Sequence, residues 1–187
     1  MKTDLIIAGF GGQGVLFAGQ LLAHAALNAE LYTTWYPSYG PEMRGGTANC
    51  TVVISDEPIG SPVVARPEAA IVLNLPSLDR YESLVRPGGL LIVNASLIDR
   101  DVRRTDIDVI AIPADDVAAE LGSPRLTNMV LLGALLARLP VFTLDHVAKT
   151  LEAVLPERHR HLLPANRVAL ERGGELADAV KLAAATV

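Results

Sequence analysis

A single cysteine, Cys50, in 187 residues removes several chemistries at once. One thiol per chain builds neither a disulfide framework nor a zinc ribbon, and it cannot hold an iron–sulfur cluster alone. Cys50 lies in "TANCTVVIS", a strand-like run, where a lone cysteine is expected to be a small core residue rather than a nucleophile. Basic runs are also missing. The net charge is -5, so nucleic acid is not the expected partner. Aromatic residues make up only 4% of a chain that is 50% hydrophobic, which leaves Ala, Val, Leu and Ile as the apolar stock. That mixture suits a sheet buried on both faces beneath Ala/Leu helices. No apolar run is long enough to span a membrane: Met129 to Leu136 is closed by Arg138 and Pro140. At the start, Ala23-His24-Ala25 imitates a signal-peptidase site, but Asp4, Gln13 and several glycines interrupt the apolar stretch before it. A strand followed by a helix is expected there instead, in a cytoplasmic protein. The N-x-S/T triplets at Asn49 and Asn94 are then expected to stay unmodified. No nucleophile triad or acid/base dyad stands out, and the four histidines (24, 146, 159 and 161) fall on helix surfaces or ends without a paired motif.

What is present is a regular alternation. Leu5 to Ala8 reads as a buried strand, Val15 to Ala29 as a helix and "LYTTW" (31–35) as a second strand, together a βαβ unit. "YPSYGPEMRGG" (36–46) reads as a loop, and "TANCTVVIS" (47–55) as a strand. "AAIVLNL" (69–75) is another buried run. A helix is expected over 77–85 with Ser77 as its cap, then strands at 90–96 and 108–114. After Pro113 the pattern turns helical, at 114–121, 127–139, 144–155 and 166–184. Met129 to Leu136, apolar on nearly every side, is expected inside the fold. The architecture predicted is one α/β domain over 1–187: a three-layer α/β/α sandwich, Rossmann-like, with a mostly parallel or mixed sheet and a helical C-terminal portion.

Two loops carry chemistry. In "IIAGFGGQGV", Gly9, Gly11 and Gly14 fit G-x-G-x-x-G between a strand and a helix. Such glycines permit the tight turn and let a phosphate approach the backbone at a helix start, where free N–H groups favour an anion. They also serve a cramped turn with no ligand at all. A dinucleotide site needs more, namely a carboxylate at the far end of the second strand. Glu30 is near the right distance but precedes "LYTTW", at the wrong end, and positions 31–36 hold no acid. The second loop, "PSYGPEMRGGTANC" (37–50), sets Arg44 beside Gly45 and Gly46, with Ser38, Tyr39 and Glu42 nearby. A guanidinium with accessible backbone suits a phosphate or a carboxylate. The plain alternative is a shaped turn with Arg44 paired to Glu42 or exposed.

"GFGGQGV", "PSYGPEMRGGTANC", "IGSP", "PGGLLIVNAS" and "TNMVLLGA", in that order over residues 5 to about 136, closely resemble the gamma subunit of 2-oxoacid:ferredoxin oxidoreductases. The wording of the Arg-Gly loop is most similar to the 2-oxoglutarate or branched-chain type. The resemblance implies a subunit of an enzyme that decarboxylates a 2-oxoacid on thiamine diphosphate, passes two electrons through iron–sulfur clusters to ferredoxin and releases an acyl-CoA. Thiamine diphosphate, Mg and the clusters would lie on alpha and beta partners, or on a ferredoxin-like delta component, with none bound by this chain alone. The isolated chain would be inactive. CoA is the substrate left to place, and its phosphates suit a glycine turn and an arginine. Gly11, Gly12, Gln13, Gly14, Ser38, Tyr39, Arg44, Gly45 and Gly46 are therefore the expected CoA or phosphate contacts; the rival role for both loops is subunit contact. Two other readings stay open: a free-standing NAD(P)-binding oxidoreductase, and a gamma-type domain serving indolepyruvate or another aryl 2-oxoacid.

Overall fold

A computed structural model describes residues 1–39, 47–139 and 141–184. The strands are β1 (Lys2–Phe10), β2 (Tyr32–Tyr39), β3 (Thr47–Ser55), β4 (Ala69–Val72), β5 (Leu90–Asn94) and β6 (Asp108–Ile112). The helices are α1 (Val15–Asn28), α2 (Leu75–Tyr81), α3 (Ala114–Glu120), α4 (Thr127–Arg138), α5 (Leu144–Val154) and α6 (Leu163–Ala184). One mixed sheet takes the order β2-β3-β1-β4-β5-β6. β1, β4, β5 and β6 run parallel, and β3 is antiparallel to both β1 and β2.

That order keeps the βαβ unit of β1, α1 and β2 but splits it. β1 and β2 point the same way, but β3 lies between them, paired from Lys2↔Ser55 to Phe10↔Thr47 on one side and from Tyr32↔Ser55 to Tyr39↔Ala48 on the other. β2 suits the outer position because it contains Pro37, which has no N–H to give and would cost a central strand a ladder bond. For the same reason residues 36–39, expected as loop, extend the strand: a proline is tolerated at an edge. The remainder of that expected loop, 40–46, lies outside the described residues.

Alternation along β1 divides the core. Leu5 and Ile7 join the larger cluster beneath α1, α3, α4, α5 and α6, whereas Ile6 and Ala8 join a smaller one beneath α2 and the 95–107 segment. Every residue of α4 from Thr127 to Leu136 is buried, which includes Met129 to Leu136 as expected. α4 lies directly on α6, and a side chain at Gly133 or Gly173 would strike the Leu170 or Val130 backbone carbonyl of the facing helix. On β3, Cys50 is 0% exposed and its Sγ sits beneath Gly19 of α1. Burial pushes its thiol up to about 12, so it remains a protonated core residue.

The cap of α2 differs from expectation. Asn74, not Ser77, fills that position: its Oδ1 accepts the Ser77 N–H at 2.9 Å. An N-cap must precede the first helical residue, and β4 ends early enough for the chain to turn at Asn74. On the thinner side, Glu82 is 6% exposed and organises the 95–107 segment. Its carboxylate accepts from the Arg103 and Arg104 backbone N–H groups and from Arg100 Nη2 at 2.9 Å. Burial alone would raise the Glu82 pKa; these donors outweigh it and hold the carboxyl below its ordinary range. Among the described residues, no helix is long and apolar enough to cross a membrane.

Candidate anion site at the carboxyl edge of the sheet

Parallel β1 and β4 are neighbours whose following helices, α1 and α2, pack on opposite faces of the sheet. Their carboxyl ends therefore flank a switch point, where open α/β sheets form a crevice. The β1–α1 turn is built for close quarters. A Cβ at Gly9 would come within 2.9 Å of Leu73 Cβ and 2.7 Å of Gln13 Oε1. Gln13 folds back so that this oxygen accepts the Phe10 N–H at 2.7 Å. Gly12 and Gly14 take φ of 98° and 77°, a region that favours glycine. Gly14 begins the 14-residue α1 without any side-chain cap, so the first N–H groups of that helix have no side-chain acceptor. Gly11 and Gly12 are exposed.

Behind the turn runs a polar chain that the local pattern did not reveal. Asn94, 0% exposed at the end of β5, donates from Nδ2 to Leu73 O at 3.2 Å and to Asp115 Oδ2 at 3.1 Å; its Oδ1 accepts the Ala114 N–H at 3.2 Å. Thr127 Oγ1 donates to Asp115 Oδ1 at 2.6 Å. The next residue, Asn128, donates from Nδ2 to Gly14 O at 3.2 Å and accepts the Met129 N–H on Oδ1 at 2.9 Å. β4, β5, α3 and α4 are thus tied to the glycine turn. For Asn94, Thr127 and Asn128 the only trace is in "VNAS" and "TNMV", polar side chains at the very end of an apolar strand and the very start of an apolar helix; Asp115 has none.

Of the residues expected at the site, Gly11, Gly12, Gln13 and Gly14 form the turn. Ser38 is exposed near the end of β2. The Tyr39 backbone, Ala48 and Gly9 occupy one row across β2, β3 and β1, so the two loops leave the same edge about 10 Å apart, two strand spacings. Arg44, Gly45 and Gly46 lie outside the described residues, as does the Tyr39 side chain. Glu30, with φ 58°, sits in the turn before β2, at the opposite edge from the glycine turn. On one side of β1 the neighbour is antiparallel β3, which brings its beginning to the glycine edge, so Glu30 is not placed as the ribose carboxylate of an ordinary dinucleotide fold.

The histidines are elsewhere. His146 Nε2 lies 2.7 Å from Ala25 O and its ring stacks on Phe142, while the rings of His159 and His161 are 6.5 Å apart on a short 3-10 turn. Among the described residues, no group of three or more His, Cys, Asp or Glu side chains could hold a metal. Among the described residues, the arrangement offers hydrogen-bond donors and a shaped turn.

A family model for pyruvate ferredoxin/flavodoxin oxidoreductase matches residues 4–176. The chain is 34% identical over 182 residues to 2-oxoglutarate synthase subunit KorC of Methanocaldococcus jannaschii, covering 95% of both proteins. Over 131 residues it is 45% identical to ketoisovalerate oxidoreductase subunit VorA of Methanothermobacter marburgensis, a match covering 70% of the chain but only 27% of that longer relative. Its fold is similar to the crystal structure of the keto/oxoacid ferredoxin oxidoreductase gamma subunit from Geobacter sulfurreducens, with a TM-score of 0.80, 28% identity and coverage of 95% and 99%.

Proposed function

The chain belongs to the pyruvate ferredoxin/flavodoxin oxidoreductase family, in its gamma-subunit branch, and on that premise we propose that it is a non-catalytic subunit of a 2-oxoacid:ferredoxin oxidoreductase that helps bind CoA. The reaction proposed is 2-oxoglutarate, CoA and oxidised ferredoxin giving succinyl-CoA, CO2 and reduced ferredoxin, in the cytoplasm. The full-length likeness to a 2-oxoglutarate synthase subunit supports that substrate, and the higher but shorter identity to a ketoisovalerate subunit makes branched-chain 2-oxoacids the first comparison.

Thiamine diphosphate and Mg on alpha and beta partners would supply the decarboxylation, and iron–sulfur clusters there the electron path. The residues of this chain do not fit a cluster: Cys50 is its one thiol, and it is buried and protonated. What this chain contributes is a wall. The observation that carries the reading is the glycine turn, with Gly11 and Gly12 exposed beside the uncapped start of α1, on the same edge from which the Arg44 loop departs. Backbone N–H groups at a helix start of this kind suit phosphoryl oxygens, which supports the reading.

The test uses the complex assembled with its alpha and beta partners. Arg44→Ala is expected to raise the KM for CoA about tenfold, as loss of one charge-assisted contact does, while leaving the KM for the 2-oxoacid in place. An intact Arg44→Ala complex with an unaltered CoA constant removes the CoA role and leaves subunit contact as the duty of that loop. Activity with 2-oxoglutarate, 3-methyl-2-oxobutanoate and indolepyruvate in turn assigns the substrate.

A further inference from the structure

β6 is the outermost strand at its end of the sheet, with β5 as its neighbour. The Asp108 N–H donates to Gly89 O at 2.8 Å, and Ile112 O accepts the Ala95 N–H at 2.8 Å. Parallel strands spend the groups of alternate residues on one neighbour, so Asp108, Ile110 and Ile112 bond toward β5. The N–H and C=O groups of Val109 and Ala111 therefore point away from the sheet. Among the described residues, no turn, loop or helix supplies them with a backbone partner. Ala111 is exposed and Val109 partly buried. The side their side chains face is thinly covered, because the β5–β6 crossover, 95–107, contains no helix to lie over it. A cavity of about 460 Å³ remains there, lined by Val93, Val109 and Ala111 from the sheet and by Ile98 and Val102 from the crossover. The one charge on the strand, Asp108, alternates to the other side, where Arg138 Nη2 holds it at 2.5 Å. No charge stands on the strand beside the outward groups.

We infer that β6 is an interface between two copies of this chain, paired antiparallel about a two-fold axis at Ile110. In that register the strand complements itself. Val109 of one copy lies opposite Ala111 of the other, and each such pair exchanges both of its backbone hydrogen bonds. The groups that meet are those that β5 leaves free. Paired residues share a face, so the larger valine of each copy stands against the smaller alanine of the other, and the two cavities join into one apolar strip. A two-fold contact uses the same patch on both copies and closes at two. Antiparallel pairing points the carboxyl edges of the two sheets in opposite directions, so the two glycine turns face opposite ways and the inference is independent of the CoA reading. A contact through one short strand belongs to the small class of interface, and weak, concentration-dependent association is expected.

The full chain is followed by analytical ultracentrifugation over a concentration series, with backbone amide exchange read by NMR. The mass should rise from monomer to dimer and stop there. The Val109 and Ala111 amides should exchange about tenfold more slowly in concentrated than in dilute samples. Ala111→Pro removes an outward N–H and should abolish the dimer. Ala111→Lys, at an exposed position, sets a charge against the Val109 side chain of the other copy and should raise the dissociation constant about tenfold. Circular dichroism checks that both variants fold; if the proline variant does not, the lysine variant decides alone. The inference is overturned if the chain stays monomeric to its solubility limit, if a dimer forms that Ala111→Lys does not weaken, or if the two amides exchange alike at every concentration. Should they gain protection only in the complex with alpha and beta partners, while the chain alone is monomeric, the edge takes a strand of another subunit and self-pairing is overturned.

Discussion

Asn128 occupies the place a side chain at Gly14 would need, and its Nδ2 donates to the Gly14 carbonyl at 3.2 Å. One contact from the first turn of α4 therefore fixes the last residue of the glycine turn, across 114 residues of sequence.

Asn128→Ala should cost about 1 kcal/mol, the net worth of one hydrogen bond, with little change in secondary structure. Gly14→Ala should cost more, about 2–4 kcal/mol, because it adds strain at φ 77° to a clash with Asn128. Urea unfolding followed by circular dichroism checks both. Equal costs for the two would mean that the turn is not pinned from α4.

Adjacent glycines of α6 should respond with opposite signs. Gly173→Ala drives a methyl into the Val130 carbonyl of α4, and about 2–3 kcal/mol of overpacking is expected. At Gly174 the nearest atoms would be at an ordinary 3.5 Å, so Gly174→Ala should stabilise by about 0.5–1 kcal/mol through helix propensity. Thermal melts of the two variants decide it; a stabilised Gly173→Ala would refute the close crossing of α4 and α6.

Glu82 makes stability depend on acid. Its folded carboxyl titrates below the ordinary glutamate range, so the unfolded chain takes up a proton first as pH falls. The contribution is fully present above the unfolded pKa of about 4.3 and is lost as pH drops through the folded value. Glu82→Gln should therefore be about 2 kcal/mol less stable at pH 7, with the gap to the native chain closing in acid. Denaturant unfolding at a series of pH values measures it; a gap that stays constant would show that the Arg100, Arg103 and Arg104 donors do not read the charge.

Cys50 should be silent. With the thiol buried and pushed up to about 12, the folded chain should not react with a disulfide reagent at pH 8, whereas the denatured chain should release one equivalent per chain. Rapid labelling under folding conditions would place Cys50 outside the core.

Local pattern revealed the elements and much less of their arrangement. "TANCTVVIS" and β3 share their boundaries because one side of the strand packs under α1 and the alternation survives in the residue types. β2 runs past Trp35 because its edge position tolerates Pro37, and edge status depends on where β3 inserts, which no window around residue 37 contains. The α2 boundary shifted to Asn74 for a similar reason: Asn and Ser are both good caps, and only the end of β4 chooses between them. At the site, the glycine turn was visible because adjacent residues make it. Asn94, Asp115, Thr127 and Asn128 were not, because each is an ordinary polar residue until the sheet gathers the ends of β1, β4 and β5 on one edge.

Pro37 has one more effect. β2 forms the rim of the sheet, and a rim with a full set of donors invites a strand from another molecule to zip onto it. A missing amide toward the end of this rim, at the sixth of the eight residues of β2, interrupts the zip. Strand-to-strand polymerisation across this edge is thereby discouraged.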